Sequence, residues 1–290
     1  MSHARLELEV PHIAQLSFDH APFHIEGVSV AGVETWLRIP EWHLAIDVGR
    51  VPDQQARCKY LALTHAHMDH AGGLGQYLAL RQLTRAGHST VFAPAESCAD
   101  LLLIIEAWQR LHRVTFDWEL LPMRPGDTAD IGSGRTLKAL PALHVVPALG
   151  YAVSAQSNKL KPEFVGLNET ALHKLRRQGV QISGPHHRLL LAVSGDTLIG
   201  ALEKVPELQS AEVVLFEATF LDELRAPARA HVGGHTHLSE WVQRMELFGS
   251  QTVVPYHISR IYGVEAAKRA LKKALPEEFY QRVKALLPAG

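Results

Sequence analysis

Thr64-His65-Ala66-His67-Met68-Asp69-His70-Ala71-Gly72-Gly73 is the stretch on which the reading of the fold turns. It follows directly on the apolar run Tyr60 to Leu63, and it places three imidazoles and a carboxylate within six residues. A buried strand that ends in a tight loop can aim alternate side chains at one point, while the glycines let the chain turn into the next helix. Imidazole and carboxylate together suit borderline divalent ions such as zinc. The plain alternative, a polar surface loop, fits poorly with so dense a cluster directly behind a buried strand.

Four donors cannot fill the coordination spheres of two metals, so further ligands must come from elsewhere. Three residues recur in the same local context. His144 ends the apolar run Leu137 to Leu143, Asp196 follows Leu189 to Val193 within Ser-Gly-Asp-Thr, and His257 follows Thr252 to Tyr256. Around them, period-two and short apolar runs predict strands at Val28–Val30, Thr35–Ile39, His43–Val48, Tyr60–Thr64, Val91–Ala93, Thr136–Val145, Tyr151–Ser154, Leu189–Val193, Val213–Glu217 and Thr252–Pro255. Helical spacing predicts helices at Leu74–Ala86, Ala95–His112, Leu238–Leu247, Glu265–Ala274 and Glu277–Leu287. Strands and helices mixed throughout one chain indicate an α/β protein with helices layered on sheet.

The 290 residues allow one large domain or two small ones, and 47% of them are hydrophobic, enough for a sizeable core. With 29 Lys and Arg against 30 Asp and Glu, neither an acidic disordered tail nor a uniformly basic coat is present. The 18 histidines are the unusual count, because imidazole is the commonest metal ligand and the usual acid or base near neutral pH. Cys58 and Cys98 form no C-x-x-C pair, which reads as two buried small hydrophobes in a reducing compartment. The N-terminus lacks the pattern of a signal peptide, and the longest apolar run, Leu101 to Ile105, is too short to cross a membrane. A cytoplasmic protein without a membrane partner is expected. One segment departs from neutrality: residues 157–188 carry six Lys or Arg against two Glu, a net of +4. That is either a solvated helix with flanking turns or a surface for a phosphate backbone.

These residues resemble the metallo-β-lactamase superfamily: the loop Thr64 to His70, Asp47 upstream in Ala-Ile-Asp-Val-Gly, then His144, Asp196 and His257 in that order. The resemblance implies a four-layer αββα sandwich with metals at the sheet edges. It implies that His65, His67 and His144 bind one metal, that Asp69, His70 and His257 bind the other, and that Asp196 bridges them. Asp47 would orient the ligand loop, with Thr64 beside it. Two divalent ions are implied, zinc foremost, with manganese or iron also compatible.

Three further stretches resemble tRNase Z, the endonuclease that trims the 3′ trailer of precursor tRNA. They are His144-Val145-Val146-Pro147-Ala148-Leu149-Gly150-Tyr151; Phe216-Glu217-Ala218-Thr219-Phe220 with the later Gly234-His235-Thr236-His237; and Tyr256-His257-Ile258-Ser259-Arg260-Ile261-Tyr262. The likeness is nearest to short-form members of plant and cyanobacterial type, whose arm reads much like Lys159-Leu160-Lys161-Pro162-Glu163-Phe164-Val165-Gly166-Leu167. It implies a single domain over residues 1–290 with an inserted tRNA-binding arm at about 157–188, and a homodimer acting on precursor tRNA. Asp69, His235 and Glu217 would be catalytic, with His235 as general acid oriented by Glu217. Lys159, Lys161, Lys174, Arg176, Arg177 and Arg260 would contact substrate. The chain departs from the family pattern at Phe216 and His237, and by the insertion of Ile261, which shifts Tyr262. His237 competes with His235 for the acid's role, and spacing from the glycine favours His235. Rival expectations are a hydrolase of the same fold acting on a small phosphodiester, lactone or β-lactam, and a non-catalytic scaffold of that fold.

Overall fold

The computed structural model describes residues 13–288, so the start of the chain, read above for a signal-peptide pattern, lies outside the described residues. In the first half, β1 (Ala14–Ser17), β2 (His24–Ala31), β3 (Glu34–Ile39), β4 (Leu44–Ile46), β5 (Tyr60–Ala62), β6 (Ser89–Pro94) and β7 (Trp118–Met123) form one sheet in chain order. Pairing is antiparallel from β1 to β4 and parallel from β4 to β7. The parallel crossovers carry α1 (Met68–Ala71), α2 (Leu74–Thr84) and α3 (Cys98–His112).

The second sheet is built from β8 (Thr128–Asp130), β9 (Arg135–Pro141), β10 (Leu149–Leu160), β11 (Ser183–Val193), β12 (Val213–Glu217) and β13 (Thr252–Tyr256), in the order β13-β12-β11-β10-β9-β8. With it come α4 (Glu169–Arg177), α5 (Gly200–Lys204), α6 (Pro206–Ser210), α7 (Pro227–Val232), α8 (Leu238–Val242), α9 (Val264–Ala274) and α10 (Glu277–Tyr280). Immediately after His257 the chain crosses to the first sheet, where β14 (Ile258–Ser259) pairs with β2.

Strand periodicity sorts the buried side chains into the interfaces of a four-layer sandwich. Leu44, Ile46 and Phe92 meet Leu137, Tyr151, Leu191, Val193, Leu215 and Val254 between the sheets. Their neighbours Ala45, Leu61, Leu63, Val91 and Ala93 face α2 and α3. Ala192, Val214, Phe216 and Val253 point the other way, against Leu202, Trp241 and Leu271. Layer order is therefore α, β, β, α, as expected, and central parallel strands buried on both faces explain the unbroken apolar runs. Cys58 and Cys98 are free and buried, and burial pushes the Cys58 thiol up to about 12, so it packs as a small hydrophobe. Among the described residues no helix is long and apolar enough to cross a membrane.

Several elements differ from expectation. The helix predicted at Glu277–Leu287 stops at Tyr280, and Val283 to Leu286 instead add to the edge of β13 through Lys284 N–H to Val253 C=O and Leu286 N–H to Pro255 C=O, each 3.0 Å. A short apolar run fits either period, and here sheet pairing buries Leu286 completely. The strands predicted at Tyr151–Ser154 and Leu189–Val193 run on as a polar ribbon to Leu160 and back from Ser183. Their outer halves pair only with each other and carry no apolar alternation. The short edge strands β1, β7 and β8 were not anticipated.

Candidate active site

β4, β5, β11, β12 and β13 each deliver a functional group at or just beyond the C-terminal end, where the backbone is released from the ladder. Asp47 follows β4, the Thr64–His70 loop follows β5, Asp196 follows β11, Glu217 ends β12 and His257 follows β13. The loop after β9 adds His144. Leu149 N–H donates to Thr64 C=O at 2.8 Å and Tyr151 Oη–H to Leu63 C=O at 2.8 Å, which ties the two sheets together at this edge.

All seven side chains expected as ligands converge. Donor atoms of His65, His67 and His144 lie within 4.8 Å of one another, as do those of Asp69, His70 and His257, and those of His65, His70 and Asp196. His65, His70, Asp196 and His257 are buried, whereas His67, Asp69 and His144 border the opening. Asp47 and His257 adopt left-handed backbone (φ +57° and +56°), a strain of roughly 1 to 3 kcal/mol each. Backbone bonds hold them there: Asp47 N–H donates to Ala62 C=O at 3.0 Å, and His257 N–H to Ser29 Oγ at 3.1 Å.

The hydrogen bonds fix which imidazole nitrogen faces the cluster. Thr64 Oγ1 donates to Asp47 (2.8 Å) and so must accept from His65 Nδ1–H (3.0 Å). Asp47 also accepts from His70 Nδ1–H at 2.8 Å. Thr219 Oγ1 donates to Glu217 (2.7 Å) and accepts from His257 Nδ1–H (3.2 Å). His144 Nδ1–H donates to the Gly234 carbonyl at 3.0 Å. Four rings are thereby left with an Nε2 lone pair, and His70 Nε2 and His257 Nε2 stand 3.1 Å apart. His65 Nε2 stands 3.0 Å from His67 Nδ1. Facing lone pairs repel unless a cation lies between them. Asp196 Oδ1 is buried without a hydrogen-bond partner, a deficit of about 1 to 3 kcal/mol that a cation would remove. The donor set therefore fits divalent metal.

Electrostatics follow from this crowding. Burial alone would raise the carboxyl of Asp196, but His257 and His70 outweigh it and hold it well below the usual carboxylate range. For Asp69 burial acts the same way and is overcome by the contacts with His257 and His70. Beside the cluster, His235 Nδ1–H donates to Glu217 Oε1 at 3.1 Å. Burial would lower the His235 pKa, but the Glu217 charge and hydrogen bond raise it to about 9.

His237 sits elsewhere. Its Nδ1 accepts from Ser239 N–H at 3.1 Å, its Nε2–H donates to Asp222 C=O at 3.0 Å, and it caps α8. Tyr262 Oη accepts from Leu221 N–H at 3.1 Å, and Arg260 is exposed just past β14. Lys159, Lys161, Lys174, Arg176 and Arg177 are not at the cluster. They lie on the ribbon and on α4 at its tip, roughly 35 Å along the strand from Leu149. Arg188, the remaining cation of that segment, is paired with Glu212 at 2.5 Å. Three groups of the site have no assignment from sequence: Thr219, the Gly234 carbonyl and the Gly32 N–H, which donates to Asp69 Oδ2 at 2.8 Å. Only Thr219 left a signal, as the last residue of the Glu-Ala-Thr stretch.

An αββα sandwich with a His and Asp cluster at the strand ends defines the class. The model of the beta-lactamase superfamily domain matches residues 43–258, and the chain belongs to that superfamily. Two tRNase Z proteins of Arabidopsis thaliana are each 32% identical to it. The chloroplastic one matches over 87% of this chain and 72% of its own length, the other over 91% and 95%. Within the superfamily the chain is a member of the tRNase Z family. Among solved structures, the short form of human tRNase Z superposes with a TM-score of 0.58 at 15% identity, covering 91% of this chain and 96% of that one. A metallo-β-lactamase fold protein of Bacillus subtilis gives 0.60 at 14% identity, over 93% and 98%.

Proposed function

We propose that the protein is a metal-dependent endoribonuclease that hydrolyses the phosphodiester at the 3′ trailer of precursor tRNA. The products are a tRNA 3′-hydroxyl and a trailer 5′-phosphate. The observation that carries this reading is His235 held by Glu217 against a cluster of five imidazoles and two aspartates. A ribose 3′-oxygen is a poor leaving group and needs a proton as the P–O bond breaks, whereas an activated small ester does not.

His65, His67 and His144 would hold one divalent ion, Asp69, His70 and His257 a second, with Asp196 between them; zinc suits this donor set best. Bound there, divalent ions polarise a phosphate and lower the pKa of water. Asp69 has Oδ2 engaged by Gly32 N–H, so Oδ1 is the oxygen left to accept the proton of the attacking water. His235, with Nδ1 committed to Glu217, delivers its proton from Nε2 to the departing 3′-oxygen.

The ribbon and α4 form the tRNA-binding arm, with Lys159, Lys161, Lys174, Arg176 and Arg177 meeting phosphates and Arg260 serving nearer the cluster. No residue of α4 is buried, so its cations are free for a partner. Because the arm extends away from its own cluster, a second subunit's site is its natural target. The outer face of α3 supports a homodimer: Leu103, Ile104, Trp108 and Leu111 are 62%, 53%, 46% and 74% exposed. Asp100 near the start of α3 and Arg110 and Arg113 near its end make that face self-complementary in an antiparallel pair. Two reduced, buried cysteines fit the cytoplasm or a comparably reducing compartment.

The test is to incubate the protein with a 3′-extended precursor tRNA and with bis(p-nitrophenyl) phosphate, each with and without chelator. Chelator-sensitive release of an intact trailer is expected. Turnover of the small diester without any cleavage of the precursor would overturn the reading.

A further inference from the structure

We propose that Glu240 and His231 form a clamp that positions His235, an inference that rests on the nuclease reading. Glu240, in the first turn of α8, uses its two oxygens for different tasks. Oε2 accepts from His237 N–H at 2.9 Å and closes the cap of α8, while Oε1 lies 2.8 Å from His231 Nε2 on α7. The His231 ring, at the exposed end of α7, is thus taken up by Glu240.

The loop that follows α7 is wound directly on the end of that helix. Gly233 N–H and His235 N–H donate to Ala230 C=O at 3.1 and 3.0 Å, and Gly234 N–H donates to His231 C=O at 3.0 Å. On its other side the same loop offers the Gly234 carbonyl to His144 Nδ1–H. There is no slack between these contacts. A Cβ at Gly234 would stand 2.8 Å from His144 Nδ1, and one at Gly233 would stand 2.8 Å from His235 Cδ2. Helix α7 has only six residues, too few to hold itself in place, and His231 and Val232 at its end are exposed. The Glu240 contact therefore fixes the helix end that sets the His235 ring. Loss of it lets the ring leave the line of proton transfer, and misplacement of about 1 Å is enough to slow a reaction severely.

His231→Ala removes the clamp and keeps the cap, and the side chain is exposed enough for the variant to fold. The probe is a precursor tRNA in two forms, one with the normal scissile linkage and one in which sulfur replaces the bridging 3′-oxygen. In the first, water oxygen bonds to phosphorus, the P–O3′ bond breaks and the 3′-oxygen takes a proton. In the second, the sulfur departs as a thiolate and takes none. His231→Ala should lower kcat for the oxygen substrate on the order of tenfold or more. Its KM, its metal content and its rate on the sulfur substrate should stay near the wild-type values. Glu240→Gln, whose amide can accept from His237 N–H and donate to His231, should remain within a few-fold of wild type on both substrates. Equal slowing on oxygen and sulfur would mean general disruption of the site and would overturn the clamp, as would no slowing on either. A wild-type protein that cleaves neither substrate sinks the nuclease reading itself.

Discussion

Asp47 and Glu217 perform the same task from opposite sheets. Each accepts from a threonine hydroxyl, Thr64 or Thr219, that itself accepts from an imidazole of the cluster, His65 or His257. Each also holds a second ring directly, His70 or His235. Two buried carboxylates thus set the tautomers of four histidines.

The Glu217 charge is what keeps His235 protonated near and above neutral pH. Cleavage of precursor tRNA should therefore stay level on the alkaline side until pH passes about 9, where the acid loses its proton. In Glu217→Gln the charge is gone while burial still lowers the pKa, so the alkaline limb should move to lower pH. His235→Ala should cost about 10² to 10⁴ in kcat at neutral pH. These are read from pH–rate profiles at saturating substrate.

Thr219→Val removes the hydroxyl that orients His257 without changing side-chain volume much. Metal affinity should fall about 10- to 100-fold, measured by competition with a chromogenic chelator. An unchanged affinity would refute the relay. Affinity in the wild type should also fall as pH is lowered, because imidazole and carboxylate must be deprotonated to bind.

His237→Ala separates the two histidines of Gly-His-Thr-His. Loss of the cap on α8 should cost about 1 kcal/mol, seen in thermal denaturation. The kcat should change far less than in His235→Ala.

Lys174→Glu, Arg176→Glu and Arg177→Glu lie on a helix with nothing buried. The triple variant should keep its melting temperature and raise KM for precursor tRNA. The slope of log affinity against log salt should shrink by up to about 2 to 3. A flat salt response in the wild type would count against the arm.

Leu103→Asp on the exposed face of α3 should shift sedimentation from dimer to monomer. A wild-type protein that sediments as a monomer at micromolar concentration would end the dimer reading.

Most of the fold was legible because its signals are local. Apolar strands such as Val213–Glu217 are buried on both faces and show it in composition, and each expected ligand follows such a run. Less was legible where one local pattern serves two structures. Val283 to Leu287 fits a helix by spacing and a strand edge by pairing, and only the open side of β13 decided between them. The ribbon of β10 and β11 is polar on both faces, so no period marks its strands. In the site, histidines and aspartates stand out by type, whereas the Gly234 carbonyl and the Gly32 N–H are backbone groups that any residue carries.

The sequence by itself determined the layered α/β class, which histidines and aspartates gather at the sheet edge and where a cationic segment lies, because periodicity and donor chemistry are written in side-chain type. The tertiary structure alone decided which nitrogen of each ring faces the cluster, and whether His235 or His237 stands beside it. It also revealed that Glu240 ties α8 to α7. Those outcomes depend on hydrogen bonds between residues far apart in the chain, whose partners exist only once the two sheets close on each other.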